Sequence, residues 1–362
     1  MGYEEAWERA AKIAQDMAAC TGRRMKRIIR GDTPSFAECD IARHPQDLEG
    51  ADVAIVGFPY QGVKTLDPHT LLPDQASVPR GSIYCRGGAE LAPEYVRKYS
   101  IFYSLSEGGG PVPEVDRGLR IADWLAVRDY GDVDVVSGDV EATNANTVSR
   151  VGEVFRAGAV PVVIGGDHEV STPVFQALTR ARQGSVGVVV FDSHFDMHSE
   201  PRFWAGSQWA RAFETGRLEP GNFVQIGIRG TRHPLSEPIV AQELGYRYFT
   251  MSEVDEMGIT AVCEEALERM EGVDCLYLSL DVDIIDPAFC PGQRYPDVGG
   301  LTSREILKAL RILSRYGFTA MDTACLSPLY DLNGISCQLV ARCVIEVLAG
   351  LAQARRLDRV RF

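Results

Sequence analysis

Apolar runs of strand length alternate with amphipathic helical patterns from residue 51 towards the end of the chain. Runs typical of buried strands lie within residues 51–59, 119–133, 160–164, 185–191, 223–228, 246–250, 275–280 and 317–324. Apolar residues near helical spacing cover residues 90–99, 143–157, 171–182, 259–271, 302–315 and 334–351. This alternation predicts an α/β fold with three α/β/α layers, in which helices cover both faces of a mainly parallel sheet.

The first 50 residues follow a different pattern. Residues 1–30 carry apolar side chains near helix spacing, whereas residues 31–50 are polar and contain proline. No internal repeat or clear linker follows residue 51. We therefore predict an N-terminal helical arm and loop over residues 1–50 and a single α/β domain over residues 51–362. The pattern leaves open whether the arm packs on a partner subunit or covers the core.

Charge and composition narrow the classes of partner. The 362 residues are 45% hydrophobic and 24% charged, and the net charge is −13. The chain lacks a basic run that could neutralise phosphates, which argues against nucleic acid, and its acidity suits a cationic substrate. No apolar run approaches the ~20 residues of a membrane span, and the N-terminus lacks the features of a signal peptide. We expect a cytoplasmic protein that has no membrane partner.

The nine cysteines include no Cys-x-x-Cys pair, and their number is odd. Several of them, such as Cys275 and Cys343, lie in apolar runs. Buried, reduced thiols are therefore favoured over a disulfide framework.

Candidate metal ligands follow three of the predicted strands. Asp192, His194 and Asp196 come after the run at residues 185–191, and alternate residues of an extended chain share one face. Asp281 and Asp283 follow the run at residues 275–280, and His168 follows Gly165-Gly166 after the run at residues 160–164. Because ligands bind beyond the carboxyl ends of parallel strands, these side chains are predicted to meet there.

The residue types indicate which ions this site would accept. Carboxylate and imidazole ligands suit Mn, Fe, Ni or Zn, and the absence of cysteine near these motifs argues against a thiolate ligand. Six ligands are enough for two divalent ions, which can activate water for hydrolysis. Asp281-Val282-Asp283 alone could equally be a turn or a helix cap. The three clusters together, each at a strand end, favour a metal site.

The chain resembles the ureohydrolase family, which includes the arginases and agmatinases. The motifs that carry the resemblance are Gly165-Gly166-Asp167-His168, Phe191-Asp192-Ser193-His194-Phe195-Asp196 and Ser279-Leu280-Asp281-Val282-Asp283-Ile284-Ile285-Asp286-Pro287. Weaker matches, such as Asp129-Tyr130-Gly131-Asp132-Val133 and Gln225-Ile226-Gly227-Ile228-Arg229, extend it over about residues 51–350. The resemblance implies that residues 51–362 form an arginase-like catalytic domain with a binuclear metal centre.

The resemblance also implies how the ligands would divide between two ions. His168, Asp192, Asp196 and Asp281 would hold one ion, and Asp192, His194, Asp281 and Asp283 the other. Family members mostly use Mn²⁺ and some guanidine-hydrolysing relatives use Ni²⁺, so two Mn²⁺ or Ni²⁺ ions per chain are expected. The implied reaction is attack of a metal-bridging hydroxide on a guanidinium carbon, with Asp196 contacting the nucleophile and passing a proton to the departing amine.

Two positions depart from the family pattern. Agmatinase-like members carry a proton-shuttling histidine where this chain has Ala205, so His198 is a candidate replacement or else a surface residue. A glutamate that grips the guanidinium is replaced by Cys325, and a thiol cannot make the bidentate contact of a carboxylate. Ordinary arginine or agmatine would therefore be held poorly.

Other residues near the motifs are candidates for the altered pocket. Trp204 could stack on a delocalised cation or pack on N-alkyl groups, although a core or subunit contact is an equal alternative. Glu169 could replace the missing glutamate, although a solvated or structural role is the simpler interpretation. The expected substrate is a small cationic guanidine other than arginine, for example a biguanide such as metformin, which would give guanylurea and dimethylamine.

Alternative functions remain open at this level. Free guanidine, agmatine or guanidino acids are other substrates, and a homo-oligomer is one expected assembly. A poorly active, metal-binding subunit paired with a paralogue would explain the loss of both the histidine and the glutamate. A single-metal deacetylase is disfavoured, because one ion does not need the second Asp-x-Asp pair.

Overall fold

In this computed structural model, a nine-stranded parallel sheet forms the centre of the fold. The structure describes residues 28–30, 33–62, 85–107, 110–111, 113–199 and 203–362, together with Arg9 and Lys12. The sheet strands are β1 (Asp40–Ile41), β2 (Val53–Phe58), β3 (Val127–Asp132), β4 (Val160–Gly165), β5 (Val186–Phe191), β6 (Leu218–Ile228), β7 (Arg247–Thr250), β8 (Cys275–Asp281) and β9 (Ala320–Ala324).

The strand order brings the predicted ligand strands to the middle of the sheet. The order is β7-β6-β5-β8-β9-β4-β2-β3-β1, and every neighbouring pair is parallel. Strands β2, β5, β8 and β9 are buried along their whole length, which explains their continuous apolar character. Because β9 lies between β8 and β4, a residue that follows β9 is close to ligands from both neighbours.

Helices cover the sheet in two groups and complete the three-layer α/β/α fold. They are α1 (Ala92–Ser100), α2 (Val140–Arg156), α3 (Ser171–Ala181), α4 (Gln208–Glu214), α5 (Ser236–Leu244), α6 (Met251–Met257), α7 (Ile259–Arg269), α8 (Ser303–Leu313) and α9 (Ile335–Arg356). Helix α3 packs on α2 and α4, whereas α9 packs on α1 and α8, and α8 packs on α7. The predicted fold class is confirmed.

The predicted helices and strands match the observed bounds within a few residues where both exist. Three short helices, α4, α5 and α6, and the two-residue strand β1 were not predicted. These three helices have seven to nine residues and few regularly spaced apolar positions, so the signal was weak. Within the described part of the chain, three further two-stranded antiparallel pairs lie outside the main sheet.

Residues 33–50, predicted as part of an arm and loop, are attached to the sheet. Strand β1 pairs with β3 at the sheet edge, and Phe36 is fully buried in the core. Its backbone N–H donates a hydrogen bond to Asp129 at 2.8 Å. Most of the predicted N-terminal helix lies outside the described residues, and the division at residue 50 stays a prediction.

Helix α9 is the hydrophobic centre of one helix layer. Among the described helices it alone is long and apolar enough to cross a membrane, and 83% of that window is buried inside the protein. Leu348 and Val344 are fully buried, as expected for a core helix. The eight described cysteines are all buried and form no disulfide among themselves.

Candidate active site

The ends of β4, β5 and β8 bring the predicted metal ligands together. His168 begins a 3-10 turn directly beyond β4, and Asp192 follows β5. Asp281 is the last residue of β8, and Asp283 lies in the 3-10 turn that follows. Strands β5 and β8 are paired up to Phe191 and Leu280, so Asp192 and Asp281 leave the sheet at the same level.

One group of donor atoms surrounds His168. Its Nδ1 atom lies 3.1 Å from Asp192 Oδ2, 3.2 Å from Asp196 Oδ2 and 3.0 Å from Asp281 Oδ2. The side chains of His168, Asp192 and Asp281 are nearly fully buried, whereas Asp196 keeps 16% of its side chain exposed. Three carboxylates at this distance from one imidazole nitrogen require a proton or a cation between them.

A second group surrounds His194 and shares Asp192 with the first. His194 Nδ1 lies 3.1 Å from Asp283 Oδ2 and 3.5 Å from Asp192 Oδ1. The ligand atoms of Asp192, His194 and Asp283 lie within 4.8 Å of one another, as do those of His168, Asp192 and Asp196. The arrangement therefore offers two adjacent ion positions with Asp192 common to both.

Hydrogen bonds orient the ligands and leave their remaining atoms facing inward. Ser279 Oγ donates to Asp322 at 2.8 Å, so it accepts from His168 Nε2, 3.1 Å away. That direction places the ring hydrogen on Nε2 and turns Nδ1 towards the carboxylates. Among the described residues, His168 Nδ1, Asp192 Oδ2 and Asp283 Oδ2 are buried and have no partner in acceptable hydrogen-bond geometry. Divalent cations would satisfy these atoms, so the residues present fit a metal centre.

The crowded charges shift the pKa values of the ligands in the metal-free protein. Burial lowers the pKa of His168, but the carboxylates of Asp192, Asp196 and Asp281 outweigh it and raise the pKa well above its ordinary value. Burial, followed by the charges of Asp283 and Asp192, raises the pKa of Asp281 to about 7. The cluster therefore attracts positive charge, which a proton supplies when a metal ion does not.

Asp196 is held in a left-handed backbone conformation with φ of 50°. This conformation costs about 1–2 kcal/mol for a residue other than glycine. The side-chain amide of Gln208 donates a hydrogen bond to Asp196 Oδ2, and Gln208 Oε1 accepts from Gly206 N at 2.8 Å. Gln208 is fully buried at the start of α4. It therefore fixes the carboxylate that projects from this turn.

The Gly165-Gly166 pair permits the backbone to pass close beside the cluster. A Cβ atom at Gly166 would clash with the carbonyl oxygen of Tyr60, and one at Gly165 would clash with that of Thr323. The Gly166 carbonyl accepts a hydrogen bond from Cys325 N at 2.8 Å. Glycine is therefore required by close packing at the end of β4.

Cys325 lies beside the ligand cluster, although no cysteine is near the ligand motifs in the sequence. Its sulfur and the donor atoms of His168 and Asp281 all lie within 4.8 Å of one another. The sequence argued against a thiolate ligand, but β9 lies between β8 and β4 and brings a thiol beside the cluster. Burial raises the pKa of the Cys325 thiol well above its ordinary value, and the charges of Asp281 and Asp283 add to the effect.

The geometry of Glu169 disfavours the role predicted for it as a guanidinium ligand. Its Oε1 accepts a hydrogen bond from Asn144 Nδ2 on α2 at 2.6 Å, and burial raises its pKa to about 8. It is absent from the groups of converging donor atoms among the described residues. A carboxyl group that is protonated near neutral pH does not bind a guanidinium strongly, so its role as a substrate ligand stays a prediction that this geometry disfavours.

His198 and Trp204 lie together at the partly exposed side of the cluster. Their ring centroids are 4.8 Å apart, and His198 Nε2 is 3.5 Å from Glu237 Oε1. Trp209 differs from Trp204, because it is fully buried and contacts the edge of the His168 ring, with centroids 5.9 Å apart. Of the two tryptophans, only Trp204 keeps part of its side chain exposed, and its role as a substrate contact stays a prediction.

Three residues near the cluster were missed by sequence reasoning. Ser279 had a usable signal, because it is two residues before Asp281 on the same face of β8. Gln208 and Glu237 had none, since they reach the cluster from separate helices. Glu237 accepts a hydrogen bond from Met197 N at 3.0 Å, and burial, followed by the charge of Asp196, raises its pKa to about 8.

Comparison with known proteins agrees with this arrangement. The family described as "Arginase family" matches residues 51–350. Guanidinopropionase from Pseudomonas aeruginosa is 34% identical over 325 residues, covering 86% of this chain and 97% of that protein. Proclavaminate amidinohydrolase from Streptomyces clavuligerus is 30% identical over 340 residues, covering 92% and 99%. Its solved structure superposes with a TM-score of 0.74 and covers 90% of this chain and 98% of that chain.

Proposed function

The chain belongs to the arginase family and is a hydrolase of carbon–nitrogen bonds, and from this premise we propose that it cleaves a guanidine-type compound other than arginine at a binuclear metal centre. The proposed ligands are His168, Asp192, His194, Asp196, Asp281 and Asp283. The observation that carries the proposal is the convergence of these side chains on two adjacent positions that share Asp192. Among the described residues, His168 Nδ1, Asp192 Oδ2 and Asp283 Oδ2 are buried there without a hydrogen-bond partner.

Each residue of the site would have a distinct role in hydrolysis. When bound, two divalent ions supply a hydroxide nucleophile near neutral pH, because they lower the pKa of water. Asp196 would accept the nucleophile's proton and return it to the departing amine. Gln208 would keep that carboxylate in position through its hydrogen bond. The Ser279–Asp322 pair would hold the His168 ring in the orientation that exposes Nδ1.

The substrate proposal rests on the pocket residues. Cys325 in place of a carboxylate weakens the hold on an ordinary guanidinium group, since its single sulfur cannot form the bidentate, charge-assisted contact of a carboxylate. Trp204 offers an aromatic face beside His198, and the Tyr295 ring lies 5.8 Å from that of His194. These surfaces suit a delocalised or N-alkylated cation. We therefore propose a biguanide such as metformin, with guanylurea and dimethylamine as products, and guanidino acids as the nearest alternative.

A substrate panel tests this proposal. Protein loaded separately with Mn²⁺ or Ni²⁺ would be incubated with metformin, free guanidine, arginine, agmatine and two guanidino acids. Release of urea, guanylurea, ammonia and dimethylamine would be measured, with Asp192→Asn as the inactive control. We expect turnover of metformin above that of arginine. Turnover of arginine or agmatine above all other compounds would overturn the substrate proposal and leave the hydrolase assignment intact.

A second candidate function is a poorly active subunit paired with a paralogous chain. It is favoured by one observation, since Ala205 and Cys325 both lack the groups that family members use for catalysis and binding. The test is activity of the chain alone against activity after co-expression with a paralogue from the same genome. A silent chain that becomes active only with the partner would favour this alternative.

We also propose that the chain is a cytoplasmic oligomer, either of identical chains or with a paralogue. Phe102, Leu332 and Ile335 are exposed apolar side chains. Gly334 lies against the ring of Tyr99, which contacts Phe102, so these residues form one surface patch that suits a subunit contact. Light scattering of the wild type and of Leu332→Glu should give a larger mass for the wild type. Equal monomer masses would overturn the assembly proposal.

A further inference from the structure

We propose that Cys325 is a thiolate ligand of the metal ion held by His168 and Asp281, and that it biases this position towards a thiophilic ion such as Ni²⁺ over Mn²⁺. The inference rests on the proposed binuclear centre and adds one ligand to the six identified from the sequence motifs. The replacement of the family's glutamate by Cys325 would then alter the choice of metal ion as well as the binding of the substrate.

The position of Cys325 follows from the topology of the sheet. It is the first residue beyond β9, between the ends of β8 and β4. Its sulfur and the donor atoms of His168 and Asp281 lie within 4.8 Å of one another, and all three residues are buried. One ion with bonds of about 2.0–2.3 Å spans donors up to about 4.3 Å apart, so it would draw these three atoms together by about half an ångström at most.

The backbone around Cys325 fixes the direction of its side chain. Cys325 N donates to Gly166 O at 2.8 Å, and Cys325 O accepts from Arg294 N at 2.8 Å. Both hydrogen bonds are to backbone atoms, so they hold whichever side chain is present. The Cα–Cβ bond of Cys325 is therefore directed by the backbone, independently of any bound substrate.

His168 supplies a separate indication that an ion belongs at this place. Its side chain is 1% exposed, and its Nδ1 atom is unpartnered among the described residues. That atom lies 3.0 Å from Asp281 Oδ2, and His168, Asp281 and Cys325 form one group of converging donor atoms. A buried imidazole nitrogen beside a carboxylate and a thiol is a donor set that Ni²⁺, Co²⁺ and Zn²⁺ accept, whereas Mn²⁺ prefers oxygen ligands.

Binding through sulfur is a ligand exchange without a redox change. The sulfur–hydrogen bond of Cys325 breaks, a sulfur–metal bond forms with the sulfur's electron pair, and the proton leaves to solvent. The alternative is a neutral thiol that only lines the guanidinium pocket. The two cases differ in whether sulfur is bonded to the ion when no substrate is present.

Metal spectroscopy of substrate-free protein separates these cases. Co²⁺-loaded protein would be examined for a sulfur-to-cobalt charge-transfer band in the near ultraviolet, and Ni²⁺-loaded protein by X-ray absorption. Cys325→Ser removes the sulfur with little change in size. Cys275→Ser, at the amino end of β8, is the matched control because it also replaces a buried cysteine on a ligand strand.

We expect the wild type and Cys275→Ser to show the band and a sulfur neighbour at about 2.3 Å from the ion. Cys325→Ser should lose both, still bind two ions, and lose at least about tenfold of its preference for Ni²⁺ over Mn²⁺ in competition. Two bound ions without a sulfur neighbour in the wild type would overturn this inference and leave the proposed function standing. Well under two ions per wild-type chain would overturn both. The wild-type spectra decide the matter even if Cys325→Ser fails to fold.

Discussion

The two sides of the candidate site are built from different kinds of structure. On the ligand side, His168, Asp192 and Asp281 follow or end three strands in the middle of the sheet, β4, β5 and β8, and their positions are fixed by the sheet. On the pocket side, Ala205 and Tyr295 lie on connecting segments between a strand and a helix. The ligand side matches the ureohydrolase motifs, whereas the pocket side departs from them.

This difference shows that the pocket side can change while the ligand side is retained. A crowded carboxylate cluster is unfavourable unless cations bind it. If the loss of one ligand releases an ion, the remaining carboxylates repel one another without compensation. A pocket side chain does not have to compensate the charge of a metal ion, so it can be replaced when the substrate changes. Cys325 is the exception, since it follows a central strand and lies against both sides.

Loss of a central ligand should have the largest effect. Asp281→Asn should lower kcat/KM by at least about 10³-fold, because a ligand of the proposed centre is removed. It should also lower the melting temperature of the metal-loaded protein. In metal-free protein near pH 8 the free energy of unfolding should instead rise by about 1 kcal/mol or more. Burial, followed by the charges of Asp283 and Asp192, raises the pKa of Asp281 to about 7 and so opposes its ionisation, which asparagine does not undergo.

Calorimetry and denaturant titration with and without metal measure these opposite changes. Asp255→Asn on α6 is the control, because Asp255 is an exposed carboxylate far along the chain from the cluster. A variant whose metal-free and metal-loaded stabilities both fall would contradict the assignment of Asp281 to a metal centre.

Restoring a carboxylate on the pocket side should change the substrate preference. Cys325→Glu should raise kcat/KM for agmatine or a guanidino acid by about 10–100-fold, because a charge-assisted hydrogen bond to a guanidinium contributes about 1.5–3 kcal/mol. Cys325→Gln has the same shape without the charge and should give no such gain. Steady-state kinetics with both variants measure the difference. Equal effects of Glu and Gln would mean that charge at this position does not select the substrate.

The ligand side was predictable from the sequence because its signals are local. The apolar run of β5 and the spacing of Asp192, His194 and Asp196 lie within one short stretch, and parallel strands place such stretches at one edge. The approach of Cys325 was not predictable, because it depends on β9 lying between β8 and β4 in the sheet. Strand order is set by packing of the whole chain, which no short pattern records.

Gln208 should have an intermediate effect, because it acts on the ligand side from a helix outside the sheet. Gln208→Met keeps the approximate size but removes the hydrogen bond to Asp196 and leaves Gly206 N without its acceptor. We expect kcat to fall by about 10–100-fold, since a hydrogen bond to a charged group contributes about 1.5–3 kcal/mol. Metal content should stay at the wild-type value. Gln176→Met on α3 serves as the control.

Kinetics and metal analysis together decide the role of Gln208. A loss of metal in step with the loss of activity would make it a support of the metal site. An unchanged kcat would show that Asp196 needs no partner from α4.

Glu169 should have the smallest effect on catalysis and a measurable effect on stability. In metal-free protein, burial raises its pKa to about 8, whereas an unfolded glutamate has a pKa of about 4.3. Between these values the folded chain retains a proton that the unfolded chain has lost, so stability falls as the pH rises through this window. Glu169→Gln cannot ionise and can still accept the hydrogen bond from Asn144. Its free energy of unfolding, relative to the wild type, should therefore increase by at least about 1 kcal/mol from about pH 5 to about pH 8.

The same variant tests whether Glu169 belongs to the pocket side at all. If its carboxyl group is only a buried partner of Asn144, kcat and KM of Glu169→Gln should stay within about twofold of the wild type, equivalent to about 0.4 kcal/mol. If Glu169 replaces the missing guanidinium ligand, KM should rise by about tenfold or more, because an amide cannot form the charge-assisted contact. A rise in KM together with a flat pH profile of stability would restore Glu169 as a substrate ligand and leave Cys325 to the metal alone.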